Sequence, residues 1–395
     1  MFRRPGFAIP LSAFCGASWM LPMPWVGPLL SLAFVGLVLA QKKALRRYLV
    51  ALAYYGAGSV GLLRGVAVFF GPHAPFWEGA FLWLGSSALL AAGWSLADRP
   101  WRAIVVLLFD ALVPPLSFFD WLSPLASAGV LFPGFGGVGL ILTLVWAIGV
   151  WYLLWPLEDR DQAWTAALLF GAVMIANAWS MLYPAQPPDG WRGVDLHVGP
   201  ATTNILANQE RHAAILRETM ARSRNAKVLL LPETLETDWA GNAWAIQQVV
   251  PRGQTWLVGM SVPRRPGLLT DSVVALEHNK PQKILFNSAF PVPVSMWHPW
   301  SRGTGYVDSQ NVGYEASWWE PAQKIGGIRA WASICYDQLL PWVWMEALIQ
   351  HPQVILLTNN EWWARGTGIP TVQRNTAWAW GRLLGVAEVE AENFP

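Results

Sequence analysis

The sequence predicts a multi-span α-helical membrane domain followed by an α/β layered-sandwich domain, and three observations carry that fold class. Of the 395 residues, 54% are hydrophobic and only 13% charged, whereas soluble domains carry about a quarter charged residues. The charge is uneven: the first 188 residues hold 10 Lys/Arg and 7 Asp/Glu, the remaining 207 hold 17 and 18. After Gly190, long apolar runs give way to short β-rich runs alternating with helical stretches, the pattern of layered α/β domains.

Composition also excludes function classes. The 30 Pro and 35 Gly are spread through hydrophobic sequence, so they punctuate folded segments and do not mark a disordered chain. A net charge of +2 with no block of like charges leaves no electrostatic footprint for nucleic acid, and direct nucleic-acid binding is not expected. The 27 Trp suit a protein with many positions at a membrane interface.

A membrane-spanning helix needs about 20 apolar residues, and the first half offers runs near 7–22, 25–40, 47–71, 75–97, 101–119, 134–156 and 163–183. The first two are short and joined by Leu21-Pro-Met-Pro24, so a re-entrant hairpin is the alternative there, and the prediction is six or seven helices in a membrane domain 1–183. Arg3 and Arg4, then Lys42, Lys43, Arg46 and Arg47, then Arg99 and Arg102 fall at alternate span ends. Positive loops stay cytoplasmic, so with seven spans the second half emerges on the far side, the periplasm of a bacterium. A signal peptide ending near Cys15 is the competing reading of the N-terminus, but Phe14 is not the small residue such a cleavage site needs. Arg64 and Asp110 fall inside predicted spans, where an ionisable group is either functional or a paired or snorkelling structural charge. Gly134-Phe-Gly-Gly-Val-Gly139 matches the dinucleotide-binding spacing but opens a membrane span instead of following a strand, and reads as close packing or a helix break.

Prolines and polar residues across 184–192 read as a linker. The second domain, 193–395, has predicted strands at 193–198, 227–231, 255–262, 271–277, 283–286, 327–335 and 353–358, with helices near 204–223, 342–350 and 371–384. Such folds place reactive side chains at strand ends. Three ends stand out: Leu229-Leu-Leu-Pro-Glu233-Thr, Trp331-Ala-Ser-Ile-Cys335-Tyr-Asp, and Leu356-Leu-Thr-Asn-Asn-Glu-Trp-Trp363. The two cysteines lie in separate halves, so neither a disulfide nor a cysteine metal site is indicated. Cys335 is then a buried core residue or a nucleophile. His197, His298 and His351 show no metal-ligand spacing, and no metal or cofactor is expected. Trp297, Trp300, Trp318, Trp319, Trp362 and Trp363 line an acyl-chain pocket, rest on the bilayer surface, or pack in the core.

At these strand ends the chain resembles the carbon-nitrogen hydrolase (nitrilase) superfamily, and its hydrophobic first half narrows the likeness to the membrane branch, the apolipoprotein N-acyltransferases. The resemblance implies that Pro232-Glu233-Thr234 supplies the general base and Ile334-Cys335-Tyr336-Asp337 the nucleophile, with Tyr336 and Asp337 in support. Thr358-Asn359-Asn360-Glu361-Trp362-Trp363 matches a third family segment. The family's lysine segment looks like Phe286-Asn-Ser-Ala-Phe-Pro-Val-Pro-Val-Ser-Met296, which puts Ser288 at the lysine position and Met296 at the second glutamate. Lys283 replaces the lost ammonium only if the strand slips or the loop refolds. Family members also continue into further strands and a last membrane helix, so the resemblance implies a nitrilase-like sandwich truncated at its C-terminus.

Two functions follow from the likeness. One is acyl transfer or amide hydrolysis through a Cys335 thioester with Glu233 as base, taking a lipid or lipoprotein acyl donor at the bacterial inner membrane. The other, favoured by the missing lysine, is a catalytically weakened or inactive structural component. Relatives with a degenerate lysine segment and this shortened shape act in plasmid conjugation, which implies envelope or conjugation proteins as partners. A transporter or channel rests on Arg64 and Asp110 alone and lacks the polar span residues of a pathway.

Overall fold

In a computed structural model that describes residues 5–69, 76–154, 161–201, 204–235, 239–297 and 313–394, the apolar runs of the first half fold as nine helices among the described residues. These are α1 (Pro5–Ala17), α2 (Val26–Leu39), α3 (Ala44–Gly58), α4 (Leu62–Phe69), α5 (Phe76–Trp94), α6 (Pro100–Leu112), α7 (Ser127–Leu131), α8 (Gly136–Leu154) and α9 (Asp161–Leu182). Against the expected six or seven spans, one to three are long and apolar enough to cross a membrane among the described residues. Trp164–Leu182 is long and apolar enough to cross a membrane by itself, and two bent pairs, α3 with α4 at 46° and Pro124–Leu131 with Gly136–Trp151 at 107°, add two more if each is one span. The cause is local interruption. Ser59-Val60-Gly61 breaks the third run, and Pro114 forces Val113 into an extended conformation that ends α6 at 13 residues, about 20 Å of helix against roughly 30 Å of hydrocarbon. Arg3, Arg4 and most of the acidic loop after Leu157 lie outside the described residues.

Two later helices, α12 (Pro341–Gln350) and α13 (Ile369–Leu384), lie late in the sequence, yet Leu339–Leu348 and Thr367–Gly385 cluster with Met1–Ala185 as one compact unit. Asn375 anchors α13 by donating to the Trp19 and Leu21 carbonyls at 2.8 and 2.9 Å. Gly129 lets α7 approach α13, since a Cβ there would stand 1.6 Å from the Ala379 carbonyl oxygen. The glycine-rich segment 134–139 opens α8 with no strand before it, and the Gly134 amide donates to the Arg382 carbonyl at 2.7 Å.

The second unit takes Gln186–Gln338, Ile349–Gly366 and Val386–Pro395 and contains two mixed sheets. The first has the order β1 (Trp191–Gly193), β2 (Val228–Leu230), β3 (Thr255–Arg265), β4 (Leu268–Glu277), β5 (Lys283–Asn287), with the short β6 (Gly313–Tyr314) paired to β4. β1, β2 and β3 run parallel, and β3, β4 and β5 antiparallel. The second sheet has the order β10 (Ala387–Asn393), β9 (Val354–Asn360), β8 (Ile328–Ile334), β7 (Gln323–Ile325), parallel except for the β7–β8 hairpin. Helices α10 (Ile205–Arg222) and α11 (Trp239–Val249) connect β1, β2 and β3, and the Asn204 side chain caps α10 by accepting from Ala207 N at 3.1 Å.

Side-chain alternation along a strand builds the layers. Val228 and Leu230 join Ala330, Ala332, Val354 and Leu356 in a core shared by the two sheets, whereas Leu229 and Leu231 face Ile215 of α10 and Ile246 of α11. The strand expected at 193–198 forms as Trp191–Gly193, after which Leu196 makes a single bridge to Asn393. Asn393 ties this crossing, accepting from Val198 N and donating to Val198 O and Asn360 Oδ1 at 2.7 to 2.9 Å.

Candidate active site

Strands β2 of the first sheet and β8 of the second deliver Glu233 and Cys335 from their C-terminal ends. Pro232 has no amide to continue the ladder, so the chain turns away after Leu231, whose amide bonds the Leu257 carbonyl at 2.8 Å. Thr234 then adopts φ 37°. The Leu231 carbonyl accepts from Thr358 Oγ1 of β9 at 3.0 Å, which ties the second sheet to the turn. Glu233 is buried at 4% exposure. Cys335 follows β8 at φ 51° and opens the 3-10 turn Cys335–Leu339. For a non-glycine residue this left-handed conformation is strained, of a kind found where function holds a side chain in place.

The two side chains meet, as a hydrogen bond joins the Cys335 thiol to the Glu233 carboxylate. A second bond comes from Asp271 of β4, a residue that the reading of the sequence does not single out. Burial raises all three pKa values. Burial acts first on both carboxyls, and the charge of Glu233 raises Asp271 further. Burial, then the Glu233 charge and its bond, push the thiol well above its ordinary value, with smaller contributions from Asp271 and Glu361. A signal for Asp271 exists, as it is the lone acidic residue opening the apolar run Val273–Leu276 on β4, but nothing local pairs it with a residue 38 positions earlier.

Ser288 lies beside this group. Its amide donates to the Asp271 carbonyl at 2.8 Å, and its hydroxyl donates to Asp337 Oδ1 at 3.2 Å. Lys283 pairs with Ala275 at the far end of β5 and is exposed. The β4–β5 register shifts by one residue at Leu285, and at about 3.3 Å per residue the Lys283 Cα still lies roughly 16 Å along the chain from that of Ser288. Met296 O accepts from the Tyr314 amide at 2.8 Å, and the Tyr314 hydroxyl meets Ser261 Oγ at 2.9 Å.

Asp337 is a clamp on the turn after β5. Its carboxyl accepts from Phe290 N at 2.8 Å, Ala289 N at 3.0 Å and Ser288 Oγ. These bonds favour the charged form, yet burial outweighs them and pushes the pKa up to about 7. A folded value above the unfolded value near 3.9 means the folded state keeps a proton the unfolded chain has lost, so stability falls as pH rises from about 4 through 7. The expected loss is on the order of 4 kcal/mol, and Asp337→Asn should flatten that part of the curve; thermal midpoints from pH 4.5 to 8 that fall as steeply in the variant would refute the assignment. Tyr336 is buried, its ring 6.4 Å from Phe290.

The third segment contributes a scaffold. Gln338 donates to Asn359 Oδ1 at 2.7 Å, and Asn360 reaches Thr234 Oγ1 at 3.4 Å. Trp297 and Trp318 pack on Phe290 with ring centres 4.8 and 5.4 Å away, Trp318 remaining 47% exposed. His298 and Trp300 lie outside the described residues. His197 stacks on Phe394 at 5.4 Å. Among the described residues no group of three or more His, Cys, Asp and Glu is arranged to hold a metal ion.

No protein-family model matches the chain. It is similar to the conjugal transfer protein TraB of Agrobacterium fabrum, with 31% identity over 368 residues that cover 87% of this chain and 82% of that protein. It is also similar to a probable conjugal transfer protein TraB of Sinorhizobium fredii, with 29% identity over 345 residues, covering 85% and 84%. Among solved structures it is similar to an amidase of the nitrilase superfamily from Nesterenkonia, with 14% identity, 45% of this chain and 68% of that chain covered, and a TM-score of 0.31. A carbon-nitrogen hydrolase from Helicobacter pylori G27 gives 11% identity, 43% and 59% coverage, and a TM-score of 0.29.

Proposed function

Because the chain belongs to the family of the conjugal transfer protein TraB, we propose that it is a membrane-associated component of the conjugation machinery whose α/β unit forms an acyl-enzyme on Cys335. The observation that carries the proposal is the strained thiol held against a buried carboxylate. Glu233 takes the thiol proton as sulfur bonds to the carbonyl carbon of an amide or ester, giving a tetrahedral oxyanion. The oxyanion collapses, the leaving amine or alkoxide takes the proton from Glu233, and a thioester remains for attack by water or a second amine. One to three apolar helices support a lipid or lipoprotein as the acyl donor, with the inner membrane as the site and the α/β unit on the periplasmic face, residues 1–183 and 193–395 acting as membrane and catalytic domains.

Ser288 at the family's lysine position supplies a neutral hydroxyl already committed to Asp337, and the loss of one oxyanion donor costs about 100- to 1000-fold in rate. That observation favours the second reading, a structural or assembly component with no turnover. Intact-mass analysis of the purified full chain in bacterial membrane lipid separates the two. A hydroxylamine-sensitive acyl adduct is expected on wild type and absent from Cys335→Ala. No adduct on wild type, alongside an acylated lysine-containing relative as control, leaves the structural reading.

A further inference from the structure

The helical unit holds an apolar cleft of about 490 Å³ between α2, α6 and α8, partly open to the surroundings. Only Trp151 and Thr143 interrupt its aliphatic lining, and the Thr143 hydroxyl is spent on the Gly139 carbonyl at 2.8 Å, so the cleft presents hydrocarbon. The lining runs from Leu32 to Leu39 on α2, from Pro100 to Leu107 on α6 and from Thr143 to Trp151 on α8. That is about 10 to 12 Å along each helix, most of the roughly 15 Å that one leaflet contributes to the hydrocarbon core.

The end of the cleft at Leu39 and Pro100 is basic. Arg47 ties together the loops that follow Leu39 and precede Pro100, donating to the Ser95 carbonyl at 2.8 Å and to the Gln41 and Lys42 carbonyls at 3.1 and 3.3 Å. These loops carry Lys42, Lys43 and Arg99, all exposed. Their one acid, Asp98, is matched by Arg102 at 3.0 Å, and among the described residues no ion pair uses Lys42, Lys43 or Arg99. Trp101 in the first turn of α6 is 56% exposed, with the Arg102 guanidinium 5.2 Å from its ring centre, as befits a tryptophan at headgroup level.

An apolar cleft that ends in three cations is the complement of a molecule with a hydrocarbon tail and an anionic head. We propose that this site binds one anionic phospholipid, with an acyl chain between α2, α6 and α8 and its headgroup at Lys42, Lys43 and Arg99. A free phosphate would leave the cleft unfilled, and a lipid without net charge would leave the cations unmatched. Basic pockets between membrane helices hold acidic headgroups in this way. The site lies wholly in the helical unit, so it rests on the membrane association of that unit and not on acyl-enzyme formation at Cys335.

Native mass spectrometry of the full chain in detergent, delipidated and then titrated with phosphatidylglycerol, phosphatidylethanolamine or inorganic phosphate, tests the site. Cys335→Ala is titrated in parallel, so that covalent acylation is not counted as bound lipid. One phosphatidylglycerol is expected to bind roughly 10- to 100-fold more tightly than phosphatidylethanolamine. The triple variant Lys42→Gln, Lys43→Gln, Arg99→Gln should bring the two lipids to equal affinity, and Ala147→Phe, which fills the cleft, should weaken both about 10-fold or more. The assignment falls if wild type binds the two lipids equally, if the triple variant keeps the preference, or if a folded Ala147→Phe protein binds lipid as wild type does. It falls equally if inorganic phosphate binds as tightly as phosphatidylglycerol, because the cleft then has no part in the site. The triple variant changes exposed side chains only, so it decides the headgroup whether or not Ala147→Phe folds.

Discussion

Glu233→Gln is expected to slow acyl-enzyme formation on Cys335 by roughly 100- to 10,000-fold while making the same thiol react faster with iodoacetamide near pH 8. The two effects have opposite signs because Glu233 acts on the sulfur in two ways. In the proposed reaction its carboxylate is the acceptor for the proton that leaves during attack, and an amide cannot take that proton. At rest, however, its charge and hydrogen bond are causes of the raised thiol pKa, second only to burial, so removing the charge lowers that pKa and raises the thiolate fraction at a given pH. Burial is retained in the variant, so alkylation should still climb as pH rises beyond 9 in both proteins. Time-resolved intact mass reports the first effect and an alkylation-rate profile from pH 6 to 10 the second. Parallel losses in both would mean that the substitution has disturbed the strand end, and unchanged acylation would remove Glu233 from the mechanism.

The elements around this site were legible because their signals are local. Pro232 ends β2, β-branched and leucine runs mark the strands on either side of it, and Asn204 caps α10 within one residue of the expected start. The roles assigned to Glu233 and Cys335 rest on the resemblance, since spacing alone left Cys335 as either core or nucleophile. Asp271 was out of reach because its meaning depends on register. It lies opposite Ser261 on β3 and beside Ser288, and no sequence window contains all of these with Glu233. β10 was missed for a different reason. Its alternating Glu388, Glu390 and Glu392 have low strand propensity, yet pairing with β9 over seven residues sets the conformation. In the helical half hydropathy sums across interruptions: the window around residue 60 is apolar on average, but the backbone bends by 46° there.

Gly259→Ala is expected to slow acylation about 100-fold although the substitution lies outside the reacting groups. A Cβ at this β3 position would stand 2.2 Å from the Pro232 carbonyl oxygen and 2.5 Å from the Cα of Glu233. Both are backbone atoms, so no side-chain rotation relieves the clash and the end of β2 must move by about an ångström to restore ordinary contact. Leu235 N also bonds the Gly259 carbonyl at 2.9 Å, which pins the far side of the turn and directs the displacement onto Glu233. A misplacement of that size costs about 100-fold in rate, and overpacking of this kind about 1–3 kcal/mol in stability, which leaves the sheet folded. Gly199→Ala is the matched control, as its added Cβ meets nothing within 4 Å. Acylation rates and thermal midpoints of the two variants, measured together, isolate the contact: a folded Gly259→Ala protein acylated as fast as Gly199→Ala would show that Glu233 does not depend on the close approach of β3 for its position.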